Sequence, residues 1–305
     1  MFITNKKILM YCRNRTTNIN ILFTDSEHIG ISHCVYREMP DEVAGIIPIS
    51  KLYKMTDSEF KDYLNEAYKE IPKTHDIYTK YYCDTNQKFC YYNDKSIKSI
   101  KVATFTHCNL DKCIMCHTAD KKLPLRDEIK LYFFILDHIK NMNLDYINFT
   151  TRGEPFLVKK QTFDYIKTLT TNDTKLICFN SNMLLLDDGD ILELYNISKN
   201  INIPIKIVAS CSAITPETYK KIHVNDSFDK VVNNIKLLYK YDMLDFINFV
   251  VQFPNLHELD FYRSFWHDNG ILDNSKMICT PVIGHNGDKV VQTIEYKRFI
   301  DGRYN

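Results

Sequence analysis

The chain has 305 residues, of which 45% are hydrophobic and 25% charged, and this composition excludes a disordered or a collagen-like protein. Its 39 basic and 38 acidic side chains leave a net charge of +1, so no excess of basic charge predicts nucleic-acid binding. No apolar run reaches the roughly 18 residues of a membrane span. The first residues also lack the small-residue cleavage site of a signal peptide. We therefore expect a cytoplasmic globular protein with neither a nucleic-acid nor a membrane partner.

The first part of the chain, residues 1–98, differs in its pattern from the rest. It contains two strand candidates, a helix candidate with a capping residue at its start and a tyrosine-rich stretch: Ile19–Phe23, Ile29–Tyr36, Asp57–Ile71 and Tyr78–Tyr92. The tyrosine-rich stretch is typical of a half-buried strand or loop, with a peptide- or sugar-contacting surface as the alternative. We interpret residues 1–98 as an N-terminal accessory region of α+β type.

From about residue 100 onward, short apolar strand candidates alternate with helical patterns. The six strand candidates are Ile100–Phe105, Tyr146–Thr150, Lys175–Asn180, Ile205–Ser210, Phe246–Val251 and Lys276–Pro281. Nearly continuous apolar runs are typical of strands that are buried on both faces. The segments between them repeat apolar residues every three or four positions, as in Arg126–Met142. This alternation predicts an α/β fold with a parallel sheet, open or closed into a barrel, and with functional residues just after the strands.

The strongest chemical signal directly follows the first of these strands. Cys108, Cys113 and Cys116 form a C-x4-C-x2-C arrangement, and three thiolates so close in sequence can surround one soft-metal site. A plant-type ferredoxin has a fourth cysteine, but the next one here is Cys178, in a different strand. Three ligands without a fourth indicate an iron–sulfur cluster with one open iron. A zinc site and three buried structural cysteines are the alternatives.

A second signal, Gly153-Glu154-Pro155, follows the second strand. Glycine lets the backbone turn or approach a ligand closely, the glutamate offers a carboxylate to a cation, and proline stiffens the loop. Alone, these three residues also fit an ordinary strand-to-helix turn. Their place one strand after the cysteine segment favours a binding role.

Four segments together, in this order along the chain, resemble the motifs of radical S-adenosylmethionine (radical SAM) enzymes. The cysteine segment is similar to the family's C-x3-C-x2-C with one residue inserted, and Arg152–Pro155 is similar to G-R-G-E-P. Asn180–Leu186 resembles the strand end S-T-N-G-x-L-L. Val208–Ile235 resembles the block S-x-D, P-E-x-Y-x-x-I and S-F-x-x-V-x-x-N-I. The resemblance covers residues 99–270.

The resemblance implies a partial parallel (β/α)6 TIM-like barrel of the radical SAM type at residues 99–272. It would follow the accessory region and precede a last strand and tail at residues 273–305. The cysteines would ligate a 4Fe–4S cluster whose open iron chelates SAM. Reductive cleavage of SAM would give a 5′-deoxyadenosyl radical that abstracts a hydrogen atom from a substrate. A peptide or protein side chain is favoured over a small-molecule substrate, and flavodoxin or ferredoxin would donate the electron.

The resemblance also implies which residues form the site. The implied catalytic residues are Cys108, Cys113, Cys116 and Glu154. The implied SAM-binding residues are Met115, Arg152, Gly153, Glu154, Pro155, Asn180, Ser181, Asn182, Ser210, Ser212 and Gln252. Three positions depart from the family pattern: Met115 stands where many members have an aromatic residue, Ser212 replaces an aspartate, and Met183 replaces a glycine. Because methionine tolerates a positive φ poorly, we expect the turn at Met183 to differ.

The remaining cysteines are open to several interpretations. Four that precede residue 98 could hold an auxiliary iron–sulfur cluster or zinc, or could be plain buried or surface residues: Cys12, Cys34, Cys83 and Cys90. Cys178 and Cys211 have the surroundings of core residues, and Cys279 is a packed thiol or a hydrogen-atom donor.

Two other functional classes are kept beside the radical SAM interpretation. A non-catalytic scaffold on a degenerate radical SAM fold predicts bound iron without SAM cleavage. A zinc- or ferredoxin-type module predicts zinc or a 2Fe–2S cluster and no SAM binding.

Overall fold

The computed structural model describes residues 19–32, 45–82, 97–110, 112–116, 123–149 and 153–281. They contain nine strands: β1 (Ile19–Phe23), β2 (His28–Ser32), β3 (Gly45–Pro48), β4 (Ser99–Ala103), β5 (Tyr146–Asn148), β6 (Ile177–Ser181), β7 (Ile205–Ser210), β8 (Leu244–Val251) and β9 (Met277–Pro281). They also contain eight α-helices: α1 (Ile49–Leu52), α2 (Asp57–Tyr82), α3 (Leu125–Ile139), α4 (Lys159–Ile166), α5 (Asp188–Ile201), α6 (Pro216–His223), α7 (Phe228–Lys240) and α8 (Tyr262–Asp268). Short 3-10 helices are Lys140–Met142, Pro155–Val158, Phe253–Phe261 and Asn274–Lys276.

The described residues fall into two compact units. The first takes those within Met1–Thr106, Lys122–Arg152 and Thr168–Ile177, and the second those within His107–Lys121, Gly153–Lys167 and Cys178–Asn305. No helix in the described part of the chain has the length and apolar character of a membrane span.

The first unit combines a hairpin-type region with two parallel strands. Its strand order is β3-β2-β1-β4-β5. The pairs β1–β2 and β2–β3 are antiparallel, whereas β1–β4 and β4–β5 are parallel. Ile19, Ile21 and Phe23 of β1 are buried, as alternate residues on one face of a strand are when that face packs on a core. The N-terminal strand β1 therefore pairs with β4 in the first unit. The domain boundaries predicted at residues 98 and 272 stay predictions.

Helix α2 begins as predicted but continues further. Thr56 caps it reciprocally with Glu59: the Glu59 N–H donates to the Thr56 hydroxyl, and the Thr56 N–H donates to the Glu59 carboxylate at 2.8 Å. The predicted end at Ile71 is wrong, because the helix continues to Tyr82. Pro72 lacks an N–H donor but does not end the helix. The interpretation of Tyr78–Tyr92 as a strand or loop is therefore wrong up to Tyr82, and its other residues lie outside the described part of the chain.

The second unit is built from parallel strands with helices between them. Apart from its first residue, β6 lies in this unit, followed in order by β7, β8 and β9. The pairs β7–β8 and β8–β9 are parallel. Phe179, Ile207 and Phe249 are fully buried, as expected for strands covered on both faces. Asp187 and Asp190 form a reciprocal capping box at the start of α5.

The prediction of an α/β fold with mainly parallel strands is confirmed. Each of the six strands predicted after residue 100 is present, with ends that differ by no more than about two residues, as is usual where strands fray. Helix α6 was not predicted as a separate element. It begins at Pro216 behind the cap residue Thr215, whose hydroxyl accepts from the Thr218 N–H. Closure of the sheet into a partial barrel stays a prediction.

Candidate active site

The cysteine segment and the Gly-Glu-Pro segment are in backbone contact. The Glu154 N–H donates to the His107 carbonyl at 2.9 Å. A Cβ atom on Gly153 would lie 2.0 Å from the same oxygen and 2.6 Å from its carbon. Glycine is therefore required at this position, because any side chain would collide with the backbone next to Cys108. The close approach observed at Gly153 is to this chain's own backbone, and the approach to a ligand stays a prediction.

Glu154 is a buried carboxylate that is held by neutral donors. It accepts hydrogen bonds from the Ser181 hydroxyl at 2.9 Å, the Asn182 N–H at 2.8 Å and the Phe156 N–H at 3.2 Å. Burial raises its pKa to about 7, against the lowering effect of these three donors. Among the described residues, no basic side chain forms an ion pair with it. A fixed carboxylate without a cation is suited to bind the ammonium group of a ligand.

Cys108 lies beside both Glu154 and the end of β6. The Leu110 N–H points at its sulfur at 3.3 Å, and the side-chain nitrogen of Asn182 lies 3.7 Å from it. Burial raises the pKa of the Cys108 thiol to about 11, and the nearby charges of Glu154 and Cys116 raise it further, whereas the Leu110 N–H lowers it. A bound cation would relieve this concentration of acidic groups.

Cys113 lies at the end of helix α6. Its sulfur is 3.6 Å from Nδ1 of His223, the last residue of that helix, and the Ile114 N–H donates to the Ile222 carbonyl at 3.0 Å. Cys116 is exposed, and its N–H donates to the Cys113 carbonyl at 3.0 Å. Cys108 thus faces Glu154 and the end of β6, Cys113 faces the end of α6, and Cys116 follows them in the same segment.

These residues fit a soft-metal cluster in their chemistry. Thiolates are the ligands of iron–sulfur clusters, and the three thiols occur in one short segment whose first cysteine, Cys108, lies beside the Glu154 carboxylate. Within the described ranges, no group of three or more Cys, His, Asp or Glu side chains already surrounds one metal position. The three thiols would have to lose their protons and converge when a cluster binds, since metal binding is coupled to the folding of its site.

The turn at Met183 corrects a prediction. We expected it to differ from a glycine turn, yet Met183 has a φ of 65°, in the left-handed region that glycine favours. Its N–H donates to the Ser181 hydroxyl, and its carbonyl accepts from the Asn234 amide at 2.8 Å. These bonds and the complete burial of the side chain hold the residue in this conformation.

The other predicted site residues take different positions. Asn180 and Ser210 are half-buried at the ends of β6 and β7. Ser212 is buried, and its hydroxyl accepts from the Val250 N–H at 3.1 Å. Gln252 follows β8 and is buried, and its side-chain nitrogen has no hydrogen-bond partner among the described residues. Pro155 is buried at the start of the 3-10 helix that follows Glu154.

For the remaining predicted residues in the described part of the chain, the structure gives the burial. Met115 is half-buried in the cysteine segment, and Cys279 is half-buried in β9. Cys178 and Cys211 are buried, as expected for core residues. The residues that lie outside the described part of the chain are Arg152, Cys12, Cys34, Cys83 and Cys90.

Two residues of the site carry no clear signal in the sequence. His223 lies next to Cys113, and Asn109 accepts a hydrogen bond from the Asn182 amide at 2.9 Å. A single histidine after a helical pattern has no spacing that marks it as functional. Asn109 belongs to the cysteine segment, and this position was its only signal.

No family model matches the chain, and no curated protein matches it. Several solved structures are similar to it. Histidine-tagged anSMEcpe with bound AdoMet is 18% identical with a TM-score of 0.49, and the match covers 68% of this chain and 58% of that chain. Native anSMEcpe with bound AdoMet and the Kp18Cys peptide is 19% identical with a TM-score of 0.43, and the match covers 61% of this chain and 51% of that one. That protein is an anaerobic sulfatase-maturating enzyme, a radical SAM enzyme. The chain therefore spans between half and two thirds of the length of these anSMEcpe chains.

Proposed function

We propose that the chain is a radical SAM enzyme, which cleaves S-adenosylmethionine reductively and uses the resulting radical to abstract a hydrogen atom from a substrate. The observation that carries this proposal is the convergence of three segments that are distant in sequence. Glu154 is bonded to the backbone next to Cys108, and both residues are bonded to Asn182. Each of the three segments resembles a separate motif of the family. Chance resemblance would give no reason for the three to meet in space.

The three cysteines would hold the cluster. A 4Fe–4S cluster bound by Cys108, Cys113 and Cys116 would supply the electron for SAM cleavage. The protein's part is to place the thiolates and to limit access of water. Cys108 is well suited to this part because it is half-buried and its sulfur receives an N–H from Leu110.

Glu154 would bind the ammonium group of SAM. Its three neutral donors fix both carboxylate oxygens and leave about one acceptor position, on Oε2, for a further donor. An ammonium group beside it would favour the ionised form and lower the raised pKa. Gln252, with its unsatisfied buried nitrogen, is a further candidate for a contact to the ligand. The other proposed SAM-binding residues are Met115, Arg152, Gly153, Pro155, Asn180, Ser181, Asn182, Ser210 and Ser212.

The proposed substrate is a peptide or protein side chain. The cysteine segment, with Asn109 and Leu110 after the first cysteine, resembles the variant found in peptide-modifying members of the family. Flavodoxin or ferredoxin is proposed as the electron donor, and a cytoplasmic location is consistent with free thiols.

Anaerobic reconstitution with iron and sulfide tests the proposal. We expect an EPR signal of a reduced 4Fe–4S cluster that shifts when SAM is added, and formation of 5′-deoxyadenosine. Cys113→Ala should abolish both. Cys178→Ala is the matched control, because Cys178 is a buried thiol in β6 with the Phe179 carbonyl 3.8 Å from its sulfur. Zinc in place of iron would refute the proposal. A cluster that never yields 5′-deoxyadenosine, with candidate peptides present, would identify a non-catalytic scaffold instead.

A further inference from the structure

His223 is a buried histidine beside a proposed cluster ligand, and the proposed reaction gives it no role. It is 2% exposed, and its Nδ1 lies 3.6 Å from the Cys113 sulfur. Its other ring nitrogen, Nε2, is buried and has no hydrogen-bond partner in the described part of the chain. The polar contact that the ring makes is therefore directed at the sulfur.

The ring is held in a fixed orientation. It stacks on Tyr219 with a centroid distance of 4.5 Å and an interplanar angle of 30°. Helix α6 is fixed at its start, where the Glu258 carboxylate accepts from the Thr215 hydroxyl at 2.6 Å and from the Ile214 N–H at 2.9 Å. At its other end, the Ile114 N–H donates to the Ile222 carbonyl and joins the helix to the cysteine segment. The distance between His223 and Cys113 is thus set by the fold on both sides.

The chemistry of a ligand thiolate decides which atom donates. A metal-bound thiolate has no proton and accepts hydrogen bonds, so the nitrogen that faces it must carry the hydrogen. The tautomer of His223 with the proton on Nδ1 satisfies this contact.

We propose that His223 is a positioning residue of the cluster site, which donates a hydrogen bond from Nδ1 to the sulfur of Cys113 and thereby raises the reduction potential of the bound cluster. This inference rests on the proposed function. Reduction adds negative charge to a cluster, and a donor to a ligand sulfur stabilises that charge.

Two substitutions separate the hydrogen bond from the packing of the ring. His223→Phe keeps an aromatic ring on Tyr219 and removes the donor, whereas His223→Asn keeps a donor at the place of Nδ1 and removes the ring. The midpoint potential of the reconstituted cluster is measured by EPR-monitored titration without SAM. We expect His223→Phe to lower the equilibrium constant for one-electron reduction at least tenfold, which is a shift of about 59 mV. His223→Asn should stay within about threefold of the parent protein, as its amide replaces the donor.

A control substitution uses a second histidine of similar type. His138 also packs on an aromatic ring, that of Phe134 at a centroid distance of 4.1 Å. Its nitrogens face the carbonyls of Phe134 and Met55 and the Asp57 carboxylate, and none faces a cysteine in the described part of the chain. His138→Phe should leave the potential unchanged. Equal potentials in the parent and both His223 variants would overturn the inference, and so would a larger shift in His223→Asn than in His223→Phe. A parent protein that binds zinc and no iron would instead overturn the proposed function. Metal analysis of the parent protein, before any variant is made, detects this outcome.

Discussion

The contact between Gly153 and the His107 carbonyl makes a strong prediction about Gly153→Ala. The new Cβ atom would lie 2.0 Å from the carbonyl oxygen, although Cβ atoms are essentially never found closer than 3.0 Å to a neighbouring atom. All three close neighbours belong to the backbone of His107, so no side chain can move aside. The backbone itself must shift by about 1 Å or more, at a cost of about 1–3 kcal/mol for overpacking. Loss of the Glu154–His107 hydrogen bond adds about 1 kcal/mol.

We therefore expect Gly153→Ala to lower the free energy of unfolding by about 2–4 kcal/mol. Urea unfolding of the metal-free protein, followed by circular dichroism, measures this value. The displaced backbone also carries Cys108, so the iron bound after reconstitution should fall with it. Gly189→Ala is the matched control: Gly189 lies in the first turn of α5, where the nearest atom to a new Cβ is a side-chain oxygen at 3.2 Å. Alanine in a helix there should be neutral or stabilise by up to about 1 kcal/mol.

A stable Gly153→Ala protein with the parent's iron content would refute this reasoning. It would mean that the two segments are not in backbone contact, and the convergence that supports the proposed function would be lost. Equal destabilisation by Gly153→Ala and Gly189→Ala would mean that the cost at Gly153 does not come from its contact with the His107 backbone.

Two further predictions concern buried residues of the same site. Met183→Gly would relieve the positive φ at a gain of about 1 kcal/mol but would remove a fully buried side chain worth about 2–5 kcal/mol, so we expect net destabilisation in urea unfolding. A more stable variant would show that backbone strain outweighs packing there. Glu154 has a folded pKa of about 7, above its unfolded value, so ionisation should cost the fold stability as pH rises from about 4.5 through 7, with a total of up to about 3 kcal/mol. Unfolding of the metal-free protein between pH 5 and 8 should show this loss, and Glu154→Gln should not show it. A parallel pH profile in both proteins would contradict the assignment.

The sequence predicts the strands of the second unit well because burial on both faces leaves a local signal. Each of these strands is a run of apolar residues, and such a run is visible without knowledge of its partners. Helix α6 lacks this kind of signal. It has eight residues, and apart from Tyr219 and Ile222 its buried side chains are Thr218 and His223, which no apolar periodicity includes. The parallel pairing of β1 with β4 has no local signal either, because it joins residues distant in sequence.

Two residues of the site have a positive φ that their side chains disfavour, and each directly follows a residue that contacts a cysteine sulfur. Five non-glycine residues in the described part of the chain have a positive φ. Three of them are asparagine or aspartate, which tolerate this conformation, and the other two are Met183 and Val224.

Met183 follows Asn182, which contacts Cys108, and Val224 follows His223, which contacts Cys113. A left-handed residue ends the regular backbone conformation that precedes it, so each contacting side chain lies at the end of its strand or helix. The conformational cost of about 1–2 kcal/mol at each position is therefore incurred where the cysteine segment is held, and a sequence pattern that follows average preferences cannot detect it.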